Sequence, residues 1–203
     1  MKNKIFMGLA AVAMVAFLSS CGKEPVAQEN ALKAAIDSAK IAQADVYVPV
    51  EYAAIQDSLK DCMTKIEAQK SKLFKKFGPA KAKLEASLVL AKQVTTDAAV
   101  KKEEVKKQVE SLMAEVKTVA EENKKLMVKA PRGKEGAQVL EQMKTEMGTI
   151  ETSCTDAQGL YDKGDYMDAL NKVKAAKDSA DKINGELKAA IEKVTGAKKA
   201  VKK

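Results

Sequence analysis

The sequence predicts an all-α fold of elongated, antiparallel helical hairpins in a coiled-coil-like bundle, with two similar hairpins after a short N-terminal helix. Ala, Lys, Glu, Val, Leu and Met dominate the 203 residues, aromatic residues make up only 4%, and Trp and His are absent. This composition is typical of long helices. Apolar residues recur at spacings of three and four, and proline and glycine are concentrated at the corners between these stretches. Narrow apolar seams shared by neighbouring helices are therefore expected in place of one large core.

Two helices are predicted before the first Gly-Pro corner. The first covers about 27–44 and is interrupted at Tyr47-Val48-Pro49, because proline disfavours helix in the residue before it and is favourable at a helix start. The second runs from about 49 to 76 and ends near Gly78-Pro79. Their predicted seams consist of Leu32, Ile36 and Ala39 in the first helix and of Ile55, Leu59, Cys62, Ile66 and Leu73 in the second.

The third predicted helix, about 79–127, is the longest and follows a heptad pattern with polar residues at Thr95, Lys102 and Asn123. Two threonines before Asp97 resemble a helix cap, so the helix either breaks there or continues. Asn123 is either a solvated break in the seam or a buried determinant of register or oligomeric state. The apolar heptad positions are Leu84, Leu88, Ala91, Ala98, Val105, Val109, Leu112, Val116, Val119 and Leu126.

A second hairpin follows the loop at Ala130-Pro131-Arg132-Gly133. Its helices cover about 134–163 and 166–194, and Asp165 is a favourable N-cap for the second of them. The stretch that opens this hairpin (EGAQVLEQMKTEMGTI) is similar to the one that opens the first (EYAAIQDSLKDCMTKI). The predicted seams are Leu140, Met143, Met147, Ile150, Cys154, Ala157 and Tyr161, then Tyr166, Ala169, Val173, Ala176, Ala180, Ile183, Leu187, Ala190 and Val194.

The expected organisation of the chain begins with a signal peptide at 1–20 and a tether at 21–28. A helical domain then covers 29–195, with hairpins at about 49–129 and 134–195, and a basic tail follows at 196–203. Lys2 and Lys4 precede an apolar run from Ile5 to Leu18, which is the order of a secretory signal and is short for a membrane span.

The residues Leu18-Ser19-Ser20-Cys21 resemble the lipobox of bacterial lipoproteins, in which an aliphatic residue and two small residues precede a cysteine. The alternative is an ordinary signal peptide cut near Ser20, with Cys21 incidental. The resemblance implies cleavage before Cys21, a diacylglycerol on its thiol and an acyl chain such as palmitate on the new amine. Two or three acyl chains hold a protein stably on a membrane. The sorting rule of enteric bacteria, applied to Gly22, favours the outer membrane, with the periplasmic face expected.

A second resemblance concerns the segment 164–181 (GDYMDALNKVKAAKDSAD), which is similar to the second half of a tetratricopeptide-type hairpin. The wider plan resembles a family of bacterial envelope lipoproteins in which a lipobox precedes Ala/Lys/Glu-rich helices with the same Gly-Asp-Tyr corner. The first hairpin departs from this pattern, with Phe77-Gly78-Pro79 at its corner. The resemblance implies an architecture and a compartment, and no activity.

The chain is basic, with a formal net charge of +8 that falls to +6 when Lys2 and Lys4 leave with the signal peptide. Lysines are spread along every helix and either form a solvated face or attract anionic lipid or cell wall. Nucleic acid is not an expected partner, because aromatic stacking residues are scarce. The C-terminal Lys203 resembles in position the terminal lysine of the murein lipoproteins, which is joined to peptidoglycan.

Cys62 and Cys154 are the other two cysteines, and both fall on predicted seams. An oxidising periplasm would permit a disulfide between them. The alternative is two buried free thiols that pack as small apolar side chains.

Enzyme chemistry has little support in the sequence. The absence of His removes the commonest general base and excludes Ser-His-Asp and Cys-His arrangements. No Gly-rich phosphate loop is present, and no cofactor or metal is expected beyond the lipid on Cys21. The methionines Met113, Met127, Met143 and Met147 are either core residues or a soft, adaptable binding face.

The expected function is therefore that of a lipid-anchored, non-enzymatic helical scaffold or spacer in the bacterial envelope, in contact with the cell wall or other envelope proteins. A homo-oligomer formed through the seams is also consistent with the pattern. The alternatives are a helical module that captures a peptide or apolar ligand, and an accessory subunit of an envelope transport or secretion complex. A groove with Tyr161 and Tyr166 on its wall would favour the binding module.

Overall fold

The computed structural model describes residues 23–201, without the side chains of 134–135 and 195–201. The chain is all-α, as predicted, and no strand occurs in this range. Leu18, Ser19, Ser20, Cys21 and Lys203 lie outside the described residues, so lipidation and wall attachment stay predictions. The described helices are α1 (Val26–Ile41), α2 (Ala44–Tyr47), α3 (Pro49–Lys70), α4 (Gly78–Lys129), α5 (Lys134–Lys163) and α6 (Tyr166–Val201).

The chain forms two compact units, one up to Lys101 and the other from Lys102 onward. Helix α4 contributes to both units and is unbroken at the threonine pair. The hydroxyl of Thr95 donates to the carbonyl of Ala91 at 2.9 Å, so this threonine bonds within the helix and does not cap a new one. The first predicted hairpin (49–129) therefore extends over parts of both units.

In the first unit, α1, α2 and α3 pack together and against the first part of α4. Asp61 of α3 pairs with Lys65 at 2.9 Å and with Lys83 of α4, and these two ammonium groups lower the pKa of the Asp61 carboxyl. The core consists of Leu32, Ile36, Ala39, Ala44, Tyr52, Ile55, Cys62, Ile66, Phe77, Ala80, Leu84, Ala91, Val94 and Ala98.

The N-terminal helix is shorter than predicted, because α1 ends at Ile41. Gln43 has a φ of 60° in the left-handed region, and its N–H donates to the carbonyl of Lys40 at 2.8 Å. This left-handed residue ends the helix and begins the short α2, which buries Ala44 and Tyr47. At its other end, α1 begins at Val26, inside the stretch assigned to the tether.

The prediction that the second helix extends to Lys76 with Leu73 in its seam was wrong. Helix α3 ends at Lys70 and Leu73 is 91% exposed. Phe77, which is only 2% exposed, fills the core at this end of the unit. The chain leaves the helix early, and the following corner carries Phe77 into the core in place of Leu73.

In the second unit, α5 has the predicted bounds and α6 begins at the predicted residue. Gly164 has a φ of 85°, which glycine adopts without strain. Its N–H donates to the carbonyl of Tyr161 at 2.9 Å, and the N–H of Asp165 donates to that of Leu160 at 3.0 Å. This Schellman arrangement satisfies the end of α5 and reverses the chain, so that α5 and α6 pack along each other.

The apolar seams of α5 and α6 are largely buried, from Met143 to Ala157 and from Ala169 to Leu187. Val194 is an exception at 37% exposure, and α6 continues to Val201, beyond the expected start of the tail. Among the described helices, none combines the length and the apolar character needed to cross a membrane.

Candidate functional site

A groove of about 670 Å³ lies between α4 and α5 in the second unit. The groove runs beside the buried apolar seams of both helices. The edges of these seams line it, so its floor is apolar. The residues of the floor are Met113, Val116, Ala120, Ile150 and Cys154.

Gly159 lines the C-terminal part of the groove on α5. A Cβ atom built at this position would meet no atom within 4 Å, so the missing side chain leaves open space. The sequence signal for this gap is weak. A glycine inside a helix costs about 1 kcal/mol relative to Ala and often has a packing or functional reason, but Gly148 of the same helix carries the same signal and lies outside the groove.

The rim of the groove is polar and carries both signs of charge. Lys124 of α4 and Glu151 of α5 form an ion pair of 2.7 Å across the groove, and this bond raises the pKa of Lys124. Both side chains are more than half exposed, so the pair contributes little to stability. The remaining rim residues are Lys117, Glu121, Thr155, Gln158 and Asp162. An apolar floor between charged edges suits the apolar face of an amphipathic helix.

Cys154 is a half-buried free thiol in this groove, and Cys62 is a fully buried free thiol in the core of the first unit. Burial raises the pKa of both thiols, and Glu151 adds to the effect at Cys154. Both thiols are free in the structure, and the disulfide that the sequence allowed stays a prediction. The alternative, two free thiols that pack as small apolar groups, describes Cys62 fully and Cys154 in part.

Tyr161 and Tyr166 do not line the groove. Their rings pack against each other at the α5–α6 corner, with centroids 5.1 Å apart and planes tilted by 53°. The Tyr161 hydroxyl donates to a carboxylate oxygen of Glu110. The ammonium groups of Lys102 and Lys106 lie 5.7 and 5.8 Å from the centre of the Tyr166 ring, which is cation–π distance. These tyrosines therefore fasten α4 to the α5–α6 corner.

Removing the Glu110 carboxylate should lower the pKa of Tyr161. The hydrogen bond to Glu110 raises the pKa of Tyr161 from 10.0 to about 12. The raised pKa contributes stability that is fully present below about pH 10 and is lost as the pH rises through about 12. In Glu110→Gln, we expect tyrosinate absorbance at 295 nm to appear at lower pH, with Tyr161→Phe identifying the component that moves. An unchanged titration in Glu110→Gln would show that the bond is not formed in solution.

Asn123 is fully buried, so its interpretation as a solvated break in the seam was wrong. Its amide nitrogen donates to the carbonyl of Ala180 at 2.8 Å and lies 3.8 Å from the sulfur of Met147. Its carbonyl oxygen accepts a bond of 2.8 Å from the amide nitrogen of Asn184. One side chain thus contacts α5 and α6 from α4, which is the geometry expected of a register determinant.

The four methionines were interpreted either as core residues or as an adaptable binding face, and the structure places two of them in the core and two in surface depressions. Met143 and Met147 are buried core residues, whereas Met113 lies in the groove and Met127 lines a smaller depression near the α4–α5 loop. Within the described part of the chain, no group of three or more His, Cys, Asp or Glu side chains is placed to hold a metal ion.

Comparison with known proteins gives no match, since no family model, no curated sequence and no solved structure is similar to this chain.

Proposed function

We propose that this protein is a lipid-anchored, non-enzymatic helical scaffold or spacer of the bacterial cell envelope. The observation that carries the proposal is the sequence Leu18-Ser19-Ser20-Cys21 directly after a signal-like apolar run. The lipid on Cys21 holds the protein at the membrane, on the periplasmic face of the outer membrane. The helices after it present lysine-rich faces to the cell wall or to other envelope proteins, and Lys203 is a candidate for covalent attachment to peptidoglycan.

The packing of the second unit supports the scaffold proposal, because ion pairs as well as apolar seams join its helices. Lys188 of α6 pairs with Glu122 of α4 at 2.9 Å, and Lys172 of α6 pairs with Asp156 of α5 at 2.7 Å. Each of these exposed pairs contributes little to stability, but the pairs place opposite charges facing each other on neighbouring helices. Because these seams are already buried within the unit, a homo-oligomer in the membrane plane would form through the exposed faces of the helices.

Replacing Cys21 should abolish lipid attachment. In bacteria fed an alkyne analogue of palmitate, we expect the wild-type protein to carry the label and Cys21→Ser to lose it and leave the membrane fraction. Because Cys62 and Cys154 are the only other cysteines, Cys62→Ser and Cys154→Ser are matched controls and should keep the label. Label retained in Cys21→Ser would contradict the proposed anchor. Cosedimentation with purified peptidoglycan and affinity capture from solubilised envelopes would then identify what the anchored helices contact.

A second candidate function is supported by the groove between α4 and α5. There the protein would bind the apolar face of an amphipathic helix or an apolar ligand, either as an independent binding module or as an accessory subunit of an envelope transport complex. The supporting observation is the apolar floor with Met113, whose flexible side chain can adapt to different ligands.

Filling the groove should block this binding without unfolding the protein. Gly159→Leu places a side chain in open space and should raise helix stability by about 1 kcal/mol. We expect the wild-type protein to increase the fluorescence of N-phenyl-1-naphthylamine, and Gly159→Leu to abolish this increase. Gly148→Leu is the matched control, because Gly148 lies on the same helix, also in open space, and outside the groove. Equal dye binding by the two variants would rule out the groove as the binding site.

A further inference from the structure

The corner between α3 and α4 exposes two large apolar side chains among lysines. Leu73 is 91% exposed and Phe74 is 80% exposed. Lys72, Lys75 and Lys76 flank them and are exposed as well. We refer to residues 71–76 (SKLFKK) as the basic corner. Adjacent exposed apolar residues mark interaction sites, and apolar residues framed by lysines are typical of segments that lie in a membrane interface.

The basic corner is held in place at both ends. The backbone N–H of Lys76 donates to the side-chain oxygen of Gln69, 3.3 Å away at the end of α3. Phe77 follows directly and is buried in the core of the first unit. Leu73 and Phe74 are therefore exposed on a turn whose two ends are fixed by contacts within the first unit.

The same end of α3 lies next to the start of the described chain. The ammonium group of Lys70 pairs with a carboxylate oxygen of Glu24 at 2.7 Å, and this bond raises the pKa of Lys70. Cys21 is three residues before Glu24 in the sequence, and three residues of extended chain span at most about 11 Å. The lipidation site and the basic corner are thus tethered to the same end of one helix.

We propose that the basic corner is a second membrane contact beside the lipid anchor. Leu73 and Phe74 enter the boundary between headgroups and acyl chains, and Lys72, Lys75 and Lys76 pair with anionic headgroup phosphates. Each lysine near an anionic surface strengthens binding about fivefold. This inference rests on the proposed lipidation of Cys21, and it adds that the anchor and the corner together fix the orientation of the first unit on the bilayer.

Charge favours an anionic bilayer over a second copy of the chain as the occupant. The basic corner contains three lysines and no acidic residue, so two such corners repel each other. At this end of α3, the acidic side chains Glu24 and Glu67 are both paired with Lys70. An anionic lipid surface supplies the missing negative charge and an apolar layer for Leu73 and Phe74 together.

The test uses a single tryptophan, since the natural chain contains none. The full, processed chain carrying F74W is reconstituted into vesicles of phosphatidylcholine and phosphatidylglycerol with brominated acyl chains, which quench tryptophan at the membrane boundary. V50W is the matched control, because Val50 is 76% exposed at the opposite end of α3, about 30 Å away along the helix. We expect blue-shifted emission and at least about twofold quenching for F74W, and neither for V50W. Equal quenching of the two variants would overturn the inference.

The lysines are tested in the F74W background. K72Q/K75Q/K76Q should remove most of the quenching, whereas K60Q/K92Q/K107Q, which changes three exposed lysines elsewhere, should leave it unchanged. The mass of the N-terminal peptide is measured on the same samples. Lipid present without F74W quenching would refute the inference and leave the anchor intact. Lipid absent, with quenching of F74W by added vesicles, would refute the anchor and support the corner. Quenching that is replaced by self-association of the chain would identify a second copy as the occupant and refute the membrane contact.

Discussion

Asn123→Asp is expected to destabilise the second unit by about 3 kcal/mol or more. The substitution places a carboxylate oxygen where the amide nitrogen donates to the carbonyl of Ala180 at 2.8 Å, so two acceptors would face each other. The site is fully buried, and an unpaired buried charge destabilises a protein by about 3–5 kcal/mol. Urea unfolding followed by helical circular dichroism measures the loss, and hydrogen exchange in α5 and α6 localises it.

Asn171→Asp is the matched control, because Asn171 is exposed on α6 and should change the free energy of unfolding by less than about 0.5 kcal/mol. Asn123→Leu separates stability from specificity. An apolar side chain of similar size loses the bonds to Ala180 and Asn184 without adding a charge, so it should cost less than Asn123→Asp. If Asn123 determines the register of the three helices, Asn123→Leu should also populate more than one packing of the second unit, seen as several sets of amide resonances by NMR. A single set, as expected of the wild type, would contradict that role.

Leu84→Ala is expected to destabilise the first unit by about 3 kcal/mol. Leu84 is fully buried where α4 packs into the core of this unit, and Leu→Ala in a core loses transfer free energy and leaves a cavity, at a cost of roughly 2–5 kcal/mol. Hydrogen exchange of α1 and α3 should accelerate accordingly.

Leu90→Ala makes the same chemical change on the same helix at a residue that is 56% exposed. It should change the free energy of unfolding by less than about 1 kcal/mol. Similar effects of the two substitutions would show that the described packing of α4 in the first unit is not the packing in solution.

The sequence predicted the fold class and the second hairpin well because their signals are local. The seam from Met143 to Ala157 has a regular spacing, and Gly164 supplies the left-handed residue that the α5–α6 turn requires. The early end of α1 could not be predicted in this way, since Gln43 is neither glycine nor asparagine and still adopts φ 60°. Tyr47, four residues after Gln43, is buried by packing against other helices of the first unit, and a local sequence pattern does not reveal such packing.

The end of α3 was missed for a related reason. Leu73 lies seven residues after Ile66 and continues the heptad, so periodicity alone extends the helix. In the structure, Phe77 occupies the core and Leu73 lies in solvent. Periodicity identifies the residues that can be buried. Which of them is buried depends on which side chain fills the core, and at this end of the unit that side chain is Phe77.

The candidate site was only partly accessible from the sequence. Asn123 was recognised as a polar seam position, but its burial depends on partners 57 and 61 residues away. The groove residues next to the seam, such as Lys117 and Gln158, resemble any solvated helix face. Val116, Ile150 and Cys154 of the groove floor were predicted as seam positions, whereas Gly159 was not recognised, because a glycine inside a helix occurs at Gly148 as well, outside the groove.

Lipid anchoring through Cys21 is tested most directly by intact mass spectrometry of the protein purified from bacterial membranes, with fragmentation of its N-terminal peptide. We expect a chain that begins at Cys21, with a diacylglycerol in thioether linkage to the cysteine sulfur and a fatty acid on the amine. A mature chain that begins elsewhere, or one that begins at Cys21 with an unmodified thiol, would contradict it.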